Sequence, residues 1–329
     1  MKATAIAPSN IAFTKYWGKK NQKLKIPQNG SISMCLSNLL TTTTVEFSNK
    51  YKQDTLTINN SPADASDTDK VSSHLDIIRK LAKTMQKAKV VSQNNFPKNA
   101  GLSSSASGFA ALTVAATTAL GLKLSEKQLS ILARQGSGSA CRSIPSGFVE
   151  WTDGNTSETS YAKQIQDPNY WKIADVVAIV STDKKAVPTT TGQESSQTSQ
   201  FMQIRLKRMK LKNQQIKKLI KARNFQQFGE FIEQEALELH AIMLTQTPPL
   251  IYWLPQTVEL MKQVLVWRQN GLEVYFTINT GQNLHLICEA KNVSNVTNKL
   301  RKLKFVKNII VNKPAEGTKL SDKHLFTTT

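Results

Sequence analysis

The segment Pro97-Lys-Asn-Ala-Gly-Leu-Ser-Ser-Ser-Ala106 decides how this 329-residue chain is interpreted. It lies between the strand-like residues 90–91 and an apolar helix predicted over 105–120. Gly101 permits backbone conformations closed to other residues, and three successive serine hydroxyls add donors. The following helix would point its free amides and positive dipole end at the loop. The segment therefore predicts a phosphate-binding loop. It lacks the Gly-Lys-Ser/Thr ending of a Walker motif, so a flexible Gly/Ser turn is the alternative.

The segments before this loop show strand and helix patterns. Residues 31–47 mix Ser, Thr and β-branched residues in near alternation, and residues 55–58 repeat the pattern before a turn. This alternation predicts consecutive strands with turns between them. A helix is predicted over 67–88, and the residues expected on its buried face are Val71, Leu75, Ile78, Leu81 and Met85.

A change of composition near residue 183 predicts two domains, 1–183 and 184–329. Before it lie a helix predicted over 125–135 and a buried strand over 173–181, and after it comes a polar stretch at 189–200. The later helices are predicted at 196–222, 224–243, 255–269 and 292–302, and the later strands at 272–278, 283–289 and 309–311. This order of elements predicts a ferredoxin-like α+β unit.

The chain is strongly basic, with 43 Lys+Arg against 23 Asp+Glu and a net charge of +20. Such an excess predicts anionic partners without distinguishing nucleic acid, membranes and phosphorylated small molecules. Nine basic residues fall between Gln203 and Phe225, and five between Lys299 and Lys307. A nucleic-acid-binding protein is therefore one hypothesis. Apolar residues between these charges are more typical of a helix with a solvated basic face, so we expect no specific nucleic acid partner.

The remaining composition points to a reducing compartment. No apolar run approaches the ~18–20 residues that cross a bilayer, and the first residues lack the pattern of a signal peptide. Cys35, Cys141 and Cys288 are widely separated, and the four histidines show no metal-ligand spacing. We therefore expect a cytoplasmic protein without disulfides, a protein-ligated metal cluster or a membrane partner.

Two further segments are candidates for anion binding. Residues 135–143 combine two glycines, three serines and Arg142, which suits a phosphate or a carboxylate gripped by the guanidinium. In residues 10–20, Lys15 and Lys19 interrupt an otherwise apolar strand and could serve phosphates as point charges. Solvated lysines at a strand end are the alternative. Two separate small-residue clusters favour a reaction with two anionic partners.

A joint pattern runs through nearly the whole chain. It comprises Ala7-Pro-Ser-Asn-Ile-Ala12, Lys15-Tyr-Trp-Gly-Lys19, the segment 94–108, Gly136-Ser-Gly-Ser-Ala-Cys-Arg-Ser143, Gly147-Phe-Val-Glu-Trp151, Val180-Ser-Thr-Asp-Lys-Lys185, Leu239-His-Ala-Ile-Met243 and Phe276-Thr-Ile-Asn-Thr-Gly-Gln-Asn283. In these segments the chain resembles diphosphomevalonate decarboxylases of the GHMP kinase superfamily. Tyr-Trp-Gly-Lys and Gly-Ser-Gly-Ser-Ala-Cys-Arg are specific to that family, whereas Gly-Leu-x-Ser-Ser-Ala marks only the superfamily.

The resemblance implies an α+β protein of the GHMP kinase fold. Its N-terminal domain would be ribosomal-protein-S5-like, its C-terminal domain ferredoxin-like, and the active site would lie in the cleft between them. The implied reaction uses ATP and Mg²⁺ to phosphorylate the 3-hydroxyl of mevalonate 5-diphosphate, then loses phosphate and carbon dioxide to give isopentenyl diphosphate. Alternatives of the same fold are a mevalonate-type kinase and a phosphomevalonate decarboxylase. The family precedent is a homodimer.

Motif position also implies site residues. Lys15, Arg142 and Asn279 would be catalytic, with Arg142 on the substrate carboxylate. The substrate contacts would come from Tyr16, Trp17, Gly18, Lys19, Ser137, Gly138, Ser139, Ala140 and Arg142. The ATP contacts would come from Lys70, Ser92, Asn94, Pro97, Ala100, Gly101, Leu102, Ser103, Ser104, Ser105 and Ala106, with Ser105 at the magnesium ion.

One departure from the family pattern concerns the reacting hydroxyl. The family motif Thr-x-Asp-Ala-Gly-Pro-Asn supplies an aspartate there, but this chain has Asn279, followed by Thr280 and Gln282. An amide is no general base near neutral pH, although it accepts hydrogen bonds. A loose phosphoryl transfer needs little early proton removal. The sequence leaves open a slow decarboxylase, compensation by another group, or ligand binding without turnover.

Overall fold

Strands of the first half form most of an eight-stranded sheet, in the order β14-β1-β4-β7-β5-β6, with β8 paired to β4 and β9 to β8. The structure is a computed structural model that describes residues 1–96, 101–183 and 185–326. The first elements are β1 (Lys2–Ala12), β2 (Lys19–Asn21), β3 (Ile26–Pro27), β4 (Ser31–Ser48), β5 (Thr55–Ile58), β6 (Ser61–Pro62), α1 (Ala65–Ala82), β7 (Lys87–Asn94), α2 (Ser104–Ala119), α3 (Glu126–Gly136), a 3₁₀ segment (Gly138–Ser143), β8 (Phe148–Trp151) and β9 (Ala162–Gln166).

The prediction of several strands over 31–47 is wrong, because β4 is one strand of 18 residues. Its first part pairs with β8 and its second part with β7, while β1 pairs along both. The run of threonines at 41–44 continues the strand, since β-branched side chains suit a pleated surface and need no turn. β4 is therefore the central strand of the sheet, paired with β1, β7 and β8.

Helix α1 is shorter than predicted. It begins after Asp64, whose side chain accepts a hydrogen bond from the amide of Asp67, and it ends at Lys83, which has a left-handed backbone. Leu75 and Ile78 are buried as expected, but Leu81 is 52% exposed, and Met85 lies beyond the helix and is 85% exposed. The helical spacing of apolar residues therefore continues to Met85, although the helix ends before it. A lysine at the C-cap gives no sign in the sequence that the helix stops there.

Helix α2 confirms the apolar helix predicted after the loop. Alanine at 110, 111, 115 and 116 keeps the helix narrow, and all four are fully buried. The helix packs against β1 and β4 on one side and the 3₁₀ segment on the other. A helix that is apolar on every side belongs in a core. This packing fixes the position of its N-terminus at Ser104.

The second half forms a four-stranded antiparallel sheet in the order β11-β12-β10-β13. Numbered along the chain, this is the second, third, first and fourth strand, as the predicted ferredoxin-like unit requires. Its elements are β10 (Ile173–Ile179), α4 (Thr189–Glu194), α5 (Met202–Ala222), α6 (Phe225–Thr245), α7 (Pro255–Gln269), β11 (Val274–Thr277), β12 (Leu284–Glu289), α8 (Val293–Arg301) and β13 (Asn308–Asn312). Strand β14 (Lys319–Ser321) returns to the first sheet.

Two boundaries and three short strands differ from the sequence expectation. A division near 183 assigns β10 to the first domain, whereas its backbone pairs with β12 and β13 of the second sheet. Helix α5 begins at Met202 rather than at 196, because residues 189–194 and 196–198 form their own short helices. Strands β8, β9 and β14 were not predicted, since they are short and have mixed polarity.

The basic run on α5 is only partly solvated. Met209, Ile216, Leu219 and Ile220 are buried as the amphipathic pattern predicts. Arg205 is also buried, in an ion pair with a glutamate of α6, so part of the run is structural. Within the described ranges, no helix is long and apolar enough to cross a membrane.

Candidate active site

A cavity of about 420 Å³ is lined by residues from both halves of the chain. Most of its polar lining comes from the predicted site residues Tyr16, Lys19, Lys70, Ser92, Asn94, Gly101, Ser103, Ser104, Ser105, Ser137, Gly138 and Ser139. The second half of the chain contributes Lys185, Pro188, Thr189, Thr190, Gln193 and Thr280. The structure thus brings the serine-rich loop, the Gly-Ser cluster and the Tyr-Trp-Gly-Lys segment together around one cleft.

The loop before α2 has the backbone of an anion site. Gly101 has a φ of +82°, and a Cβ at this position would lie 2.7 Å from Cα of Gly281. Ser103, with a φ of 58°, precedes the first turn of α2. The free amides of a helix N-terminus attract phosphate. Ser105 Oγ lies 3.4 Å from Ser137 Oγ, so the two small-residue clusters meet at this point.

One side of the cavity suits a nucleoside. Ser92 and Asn94, which were predicted to lie by the nucleotide, reach the lining from β7. Their side chains are held by strand β4, with Ser92 Oγ 2.9 Å from Thr43 Oγ1 and Asn94 Oδ1 accepting from Thr41 Oγ1 at 2.6 Å. Apolar side chains complete this side: Leu56, Ile58, Val71, Val90, Phe109 and Leu112.

The charge of the described lining is positive, with Lys19, Lys25, Lys70 and Lys185 against Asp67. Burial lowers the pKa of Lys19, and it lowers the pKa of Lys25 and of Lys185 to about 8 each. Desolvated cations are stabilised when an anion enters, so they favour phosphorylated ligands. Sequence reasoning gave no role to Lys25 or Lys185.

Local contacts hold these two lysines in the lining. Lys25 Nζ donates to the carbonyls of Gln135 and Gly136, the first at 2.6 Å. Lys185 Nζ donates to Thr280 O at 2.9 Å and to Thr189 Oγ1 at 2.5 Å. Lys185 lies in a segment that resembles the family, whereas Lys25 carries no signal in the sequence.

The polar stretch at 189–200 covers part of the cleft. Helix α4 places Thr189, Thr190 and Gln193 in the lining. The hydroxyl of Tyr16 donates to Gln193 Oε1 at 2.9 Å, and this contact connects the stretch to the Tyr-Trp-Gly-Lys segment.

Lys15 is 1% exposed and is not part of the cavity lining, but its amine is linked through Asn279 to Ser103, which is. Its Nζ donates to Ala12 O at 2.6 Å, to Thr277 Oγ1 at 2.7 Å and to Asn279 Oδ1 at 3.3 Å. Burial lowers its pKa to about 7, and Glu235 opposes this shift. An amine with a pKa near 7 can gain or lose its proton under physiological conditions.

Asn279 connects Lys15 to the serine-rich loop before α2. Its Oδ1 accepts from Lys15, and its Nδ2 donates to Ser103 Oγ at 3.1 Å. Its carbonyl lies 3.0 Å from His240 Nε2, which must be the donor because a carbonyl only accepts. Burial lowers the pKa of His240 to about 3, and the ring stacks on Trp253. His240 is therefore a neutral support for Asn279.

Arg142 is 4% exposed and held by two polar side chains. Its Nη1 donates to Ser31 Oγ at 2.7 Å, and its Nε and Nη2 donate to Asn10 Oδ1 at 3.2 and 3.1 Å. Trp151 lies beneath its guanidinium, 5.7 Å from the ring centroid. The group is thus oriented as a planar fork by neutral partners. This arrangement leaves its positive charge available to an anion.

Some predicted contact residues lie away from the cavity. Trp17 is fully buried among Met202, Leu239, Ile242 and their neighbours, and its Nε1 donates to Gln246 Oε1 at 3.3 Å. Leu102, Ala106 and Ala140 are core residues too. Gly18, with a φ of +80°, shapes the turn between Tyr16 and Lys19. Their side chains support the site from behind, because motif spacing does not distinguish a lining residue from its neighbour. Pro97 and Ala100 lie outside the described residues.

The two sheets, the serine loop at a buried helix and the cationic cleft define a GHMP kinase superfamily protein, as predicted. A family model described as "Diphosphomevalonate decarboxylase-like N-terminal domain" matches residues 7–162. A second, described as "Mevalonate 5-diphosphate decarboxylase C-terminal domain", matches residues 175–324. The chain therefore belongs to the diphosphomevalonate decarboxylase family, and the predicted ATP-dependent decarboxylase class is confirmed at that level.

Individual relatives agree along almost the whole chain. The diphosphomevalonate decarboxylase of Candida albicans is 35% identical over 318 residues, which cover 91% of this chain and 88% of the relative. The solved mevalonate diphosphate decarboxylase of Staphylococcus aureus is 36% identical with a TM-score of 0.93, covering 98% of each chain. A solved structure described as "MDDEF in complex with MVAPP, AMPPCP and Magnesium" is 37% identical with a TM-score of 0.93, covering 98% of this chain and 99% of that one.

Proposed function

We propose that the chain catalyses the ATP-dependent decarboxylation of mevalonate 5-diphosphate to isopentenyl diphosphate. The observation that carries this proposal is the cleft that unites the serine loop, four lysines and the Gly-Ser cluster, and that Asn279 links to Lys15. The γ-phosphoryl group of ATP would pass to the 3-hydroxyl. Loss of that phosphate and of carbon dioxide would then form the double bond.

The two phosphate-bearing ligands fit different parts of the cleft. The start of α2 and the apolar side near Ser92 suit ATP, because they offer amides for phosphates and a dry surface for the base. Tyr16, Lys19, Ser137 and Ser139 suit the substrate diphosphate. Hydroxyl and carboxylate oxygens are ligands that Mg²⁺ prefers, and Ser105 and Asp67 offer them in the lining. Bound Mg²⁺ would neutralise charge on the phosphates of ATP.

Departure of the phosphate leaves a carbocation-like centre that decarboxylation quenches. Such a reaction requires positive charge near the transferred phosphoryl group and a fixed substrate carboxylate. Lys15 would supply the positive charge near the phosphoryl group. The oriented guanidinium of Arg142 would hold the substrate carboxylate. Bound substrate would exchange some of the protein hydrogen bonds of these two groups for its own.

Asn279 limits this chemistry, because its amide takes no proton from the 3-hydroxyl. Its position between Lys15 and Ser103 supports a role in which it orients the amine and the phosphate loop. We propose that the enzyme is active but slower than a variant with a carboxylate at this position.

A substrate panel tests the proposal. ADP and carbon dioxide release would be measured with mevalonate, its 5-phosphate and its 5-diphosphate. Equal release of both products with the diphosphate alone is the expected result. ADP without carbon dioxide would indicate a kinase, and turnover of the monophosphate would indicate a phosphomevalonate decarboxylase.

Oligomeric state and location complete the proposal. Apolar side chains on α6 and α7 are exposed, among them Leu237, Leu244, Val258 and Leu265, and they support a homodimer. Light scattering across a concentration series measures this, and a monomer at micromolar concentration would contradict it.

The free thiols of Cys35, Cys141 and Cys288 support a cytoplasmic location, because they suit a reducing compartment.

A further inference from the structure

The backbone of Lys15 is held by side chains from two helices of the second half. Lys15 follows the end of β1 at Ala12, where strand pairing no longer binds its backbone groups. Its amide donates to Glu235 Oε2 at 3.1 Å, and its carbonyl accepts from Arg205 Nη2 at 2.9 Å. Buried backbone groups need partners. One ion pair supplies a partner to each of these two groups, and Asn29 Nδ2 also donates to the carbonyl at 2.9 Å.

This ion pair is buried and itself held. Arg205 and Glu235 are each 1% exposed, with Nη2 and Oε2 3.1 Å apart. Glu238 accepts from Arg205 Nη1 at 2.7 Å, and Lys212 donates to Glu235 Oε1 at 2.5 Å. Burial opposes ionisation of Glu235, but Arg205 and Lys212 outweigh it and lower its pKa to about 2. The carboxylate is therefore charged at every working pH.

A buried ion pair is weak support for stability, because desolvation offsets much of the attraction. Apolar residues already provide the packing of α5, including Met209 and Ile216. The charged pair instead fixes the position of one residue. The carboxylate of Glu235 accepts from the amide of that residue, and the guanidinium of Arg205 donates to its carbonyl. That residue carries the amine that Asn279 connects to the cleft lining.

We propose that Glu235 and Arg205 are positioning residues that hold the backbone of Lys15, and with it the amine, against the reacting groups. The inference rests on the proposed function, because it assigns the ammonium form of Lys15 to catalysis. Neither side chain lines the cavity. They act through Lys15, and they make helices α5 and α6 part of the active site.

The electrostatic part of the inference has a definite sign. Glu235 is the largest influence that raises the pKa of Lys15 against burial. The charged and titratable groups facing the amine are Glu235 and His240 of α6, Arg205 of α5, Arg142 of the 3₁₀ segment and Asp175 of β10. Neutralising Glu235 lowers the pKa of Lys15 further, so less ammonium remains at a given pH.

The test compares Glu235→Gln with Glu233→Gln. Glu233 is a matched control on the same helix: it pairs with Arg268 at 2.8 Å and accepts a backbone amide, that of Phe276, at 3.0 Å. We expect Glu235→Gln to lower kcat at pH 7.5 by roughly tenfold or more, with little change in KM, and to shift the alkaline limb of the kcat profile to lower pH. Glu233→Gln should leave kcat and the limb unchanged.

A purely structural role would give another result. If Glu235→Gln lowered the melting temperature but left kcat and the alkaline limb unchanged, the inference would be wrong. Arg205→Lys is the second variant, should Glu235→Gln fail to fold. It keeps a charge beside Glu235 but loses the fork, so we expect a lower kcat with a limb near its original pH. An unchanged kcat in this variant would also contradict the inference.

A direct titration separates this inference from the proposed function. The Lys15 side chain would be followed by NMR on protein labelled at the lysine ε-carbon and assigned with Lys15→Met. In Glu235→Gln the Lys15 signal should titrate at lower pH than in the unchanged chain. An unchanged titration would overturn the inference. Absence of turnover in the unchanged chain would count against the proposed function only.

Discussion

The upper and lower parts of the site are built differently. The upper part is an open cleft whose serines, glycines and lysines lie in short continuous segments. In the lower part, or buried group, Lys15 contacts Thr277 and Asn279 from a distant part of the chain, and Arg142 is buried against Asn10 and Ser31. Phosphates bring their own charge and need a solvated, cationic surface. The reacting centre needs few groups, held without water.

We therefore expect substitutions in the two parts to change different kinetic constants. Changes in the cleft should act on KM, because they alter binding of phosphates in the ground state. Changes in the buried group should act on kcat, because they alter interactions made in the transition state.

Lys15→Met should have the largest effect, a fall in kcat of about 10²–10³-fold with a smaller change in KM. It removes the buried charge that donates to Thr277 and Asn279. The fold should survive, since burying an amine is unfavourable. ADP release and thermal unfolding measure both effects. Exposed Lys218→Met is the control, and equal losses in the two variants would refute a special role for Lys15.

The unchanged chain should also show this charge in its pH profile. Burial sets the folded pKa of Lys15 near 7, so the ammonium is lost as pH rises through that value. We therefore expect kcat to fall on the alkaline side of neutrality in the unchanged chain. A flat profile from pH 6 to 9 would show that the amine needs no proton for catalysis.

Gly101→Ala tests the cleft and should raise KM for ATP by about tenfold. The substitution strains a φ of +82° and brings a Cβ within 2.7 Å of Gly281 Cα, so the loop must move away from the phosphates. Gly121→Ala is the matched control, because Gly121 has a φ of +70° but open space around it. Both variants should lose stability, and only Gly101→Ala should lose ATP affinity. A fall in kcat without a change in KM would contradict the division between cleft and buried group.

Sequence reasoning found the cleft far better than the buried group. Gly101, Ser104 and Ser137 lie in segments whose small residues by themselves predict a phosphate site, and these segments do line the cleft. Residue patterns marked Lys15 and Arg142 only as possible anion contacts, and their catalytic roles and that of Asn279 came from resemblance to a family. Glu235 and Arg205 were missed, because an ion pair between helices that are adjacent in sequence looks like ordinary surface charge until the fold buries it.

The fold shows the same limit. The boundaries of α7 and the strand–helix order of the second half followed from local pattern, because periodicity and Pro255 define them. The single long strand β4 and the membership of β10 in the second sheet did not. Strand continuity and sheet pairing depend on distant partners, and a single sequence does not state them.

Asn279→Asp should raise kcat by up to about tenfold and move the alkaline limb to higher pH. A carboxylate could take the hydroxyl proton, and its charge beside Lys15 would raise the pKa of the amine. Product release and its pH profile measure the two effects independently. Asn279→Ala is the control, and it should lower kcat because it removes the contacts to Lys15 and Ser103. Equal or lower turnover in Asn279→Asp would show that this position does not limit catalysis.

The smallest effect is expected from the exposed charges of α5, which belong to neither part of the site. Lys207 and Lys218 are exposed, and they attract anionic substrates only through the long-range field of the protein. Replacing both with Gln should lower kcat/KM by less than about twofold, and only at low ionic strength, because the Debye length is about 8 Å at 0.15 M salt. Kinetics at 10 and 150 mM salt measure this. A larger loss that persists in salt would mean that the basic helix face contacts a ligand directly. The division of the +20 net charge into a few site lysines and a solvated remainder would then be wrong.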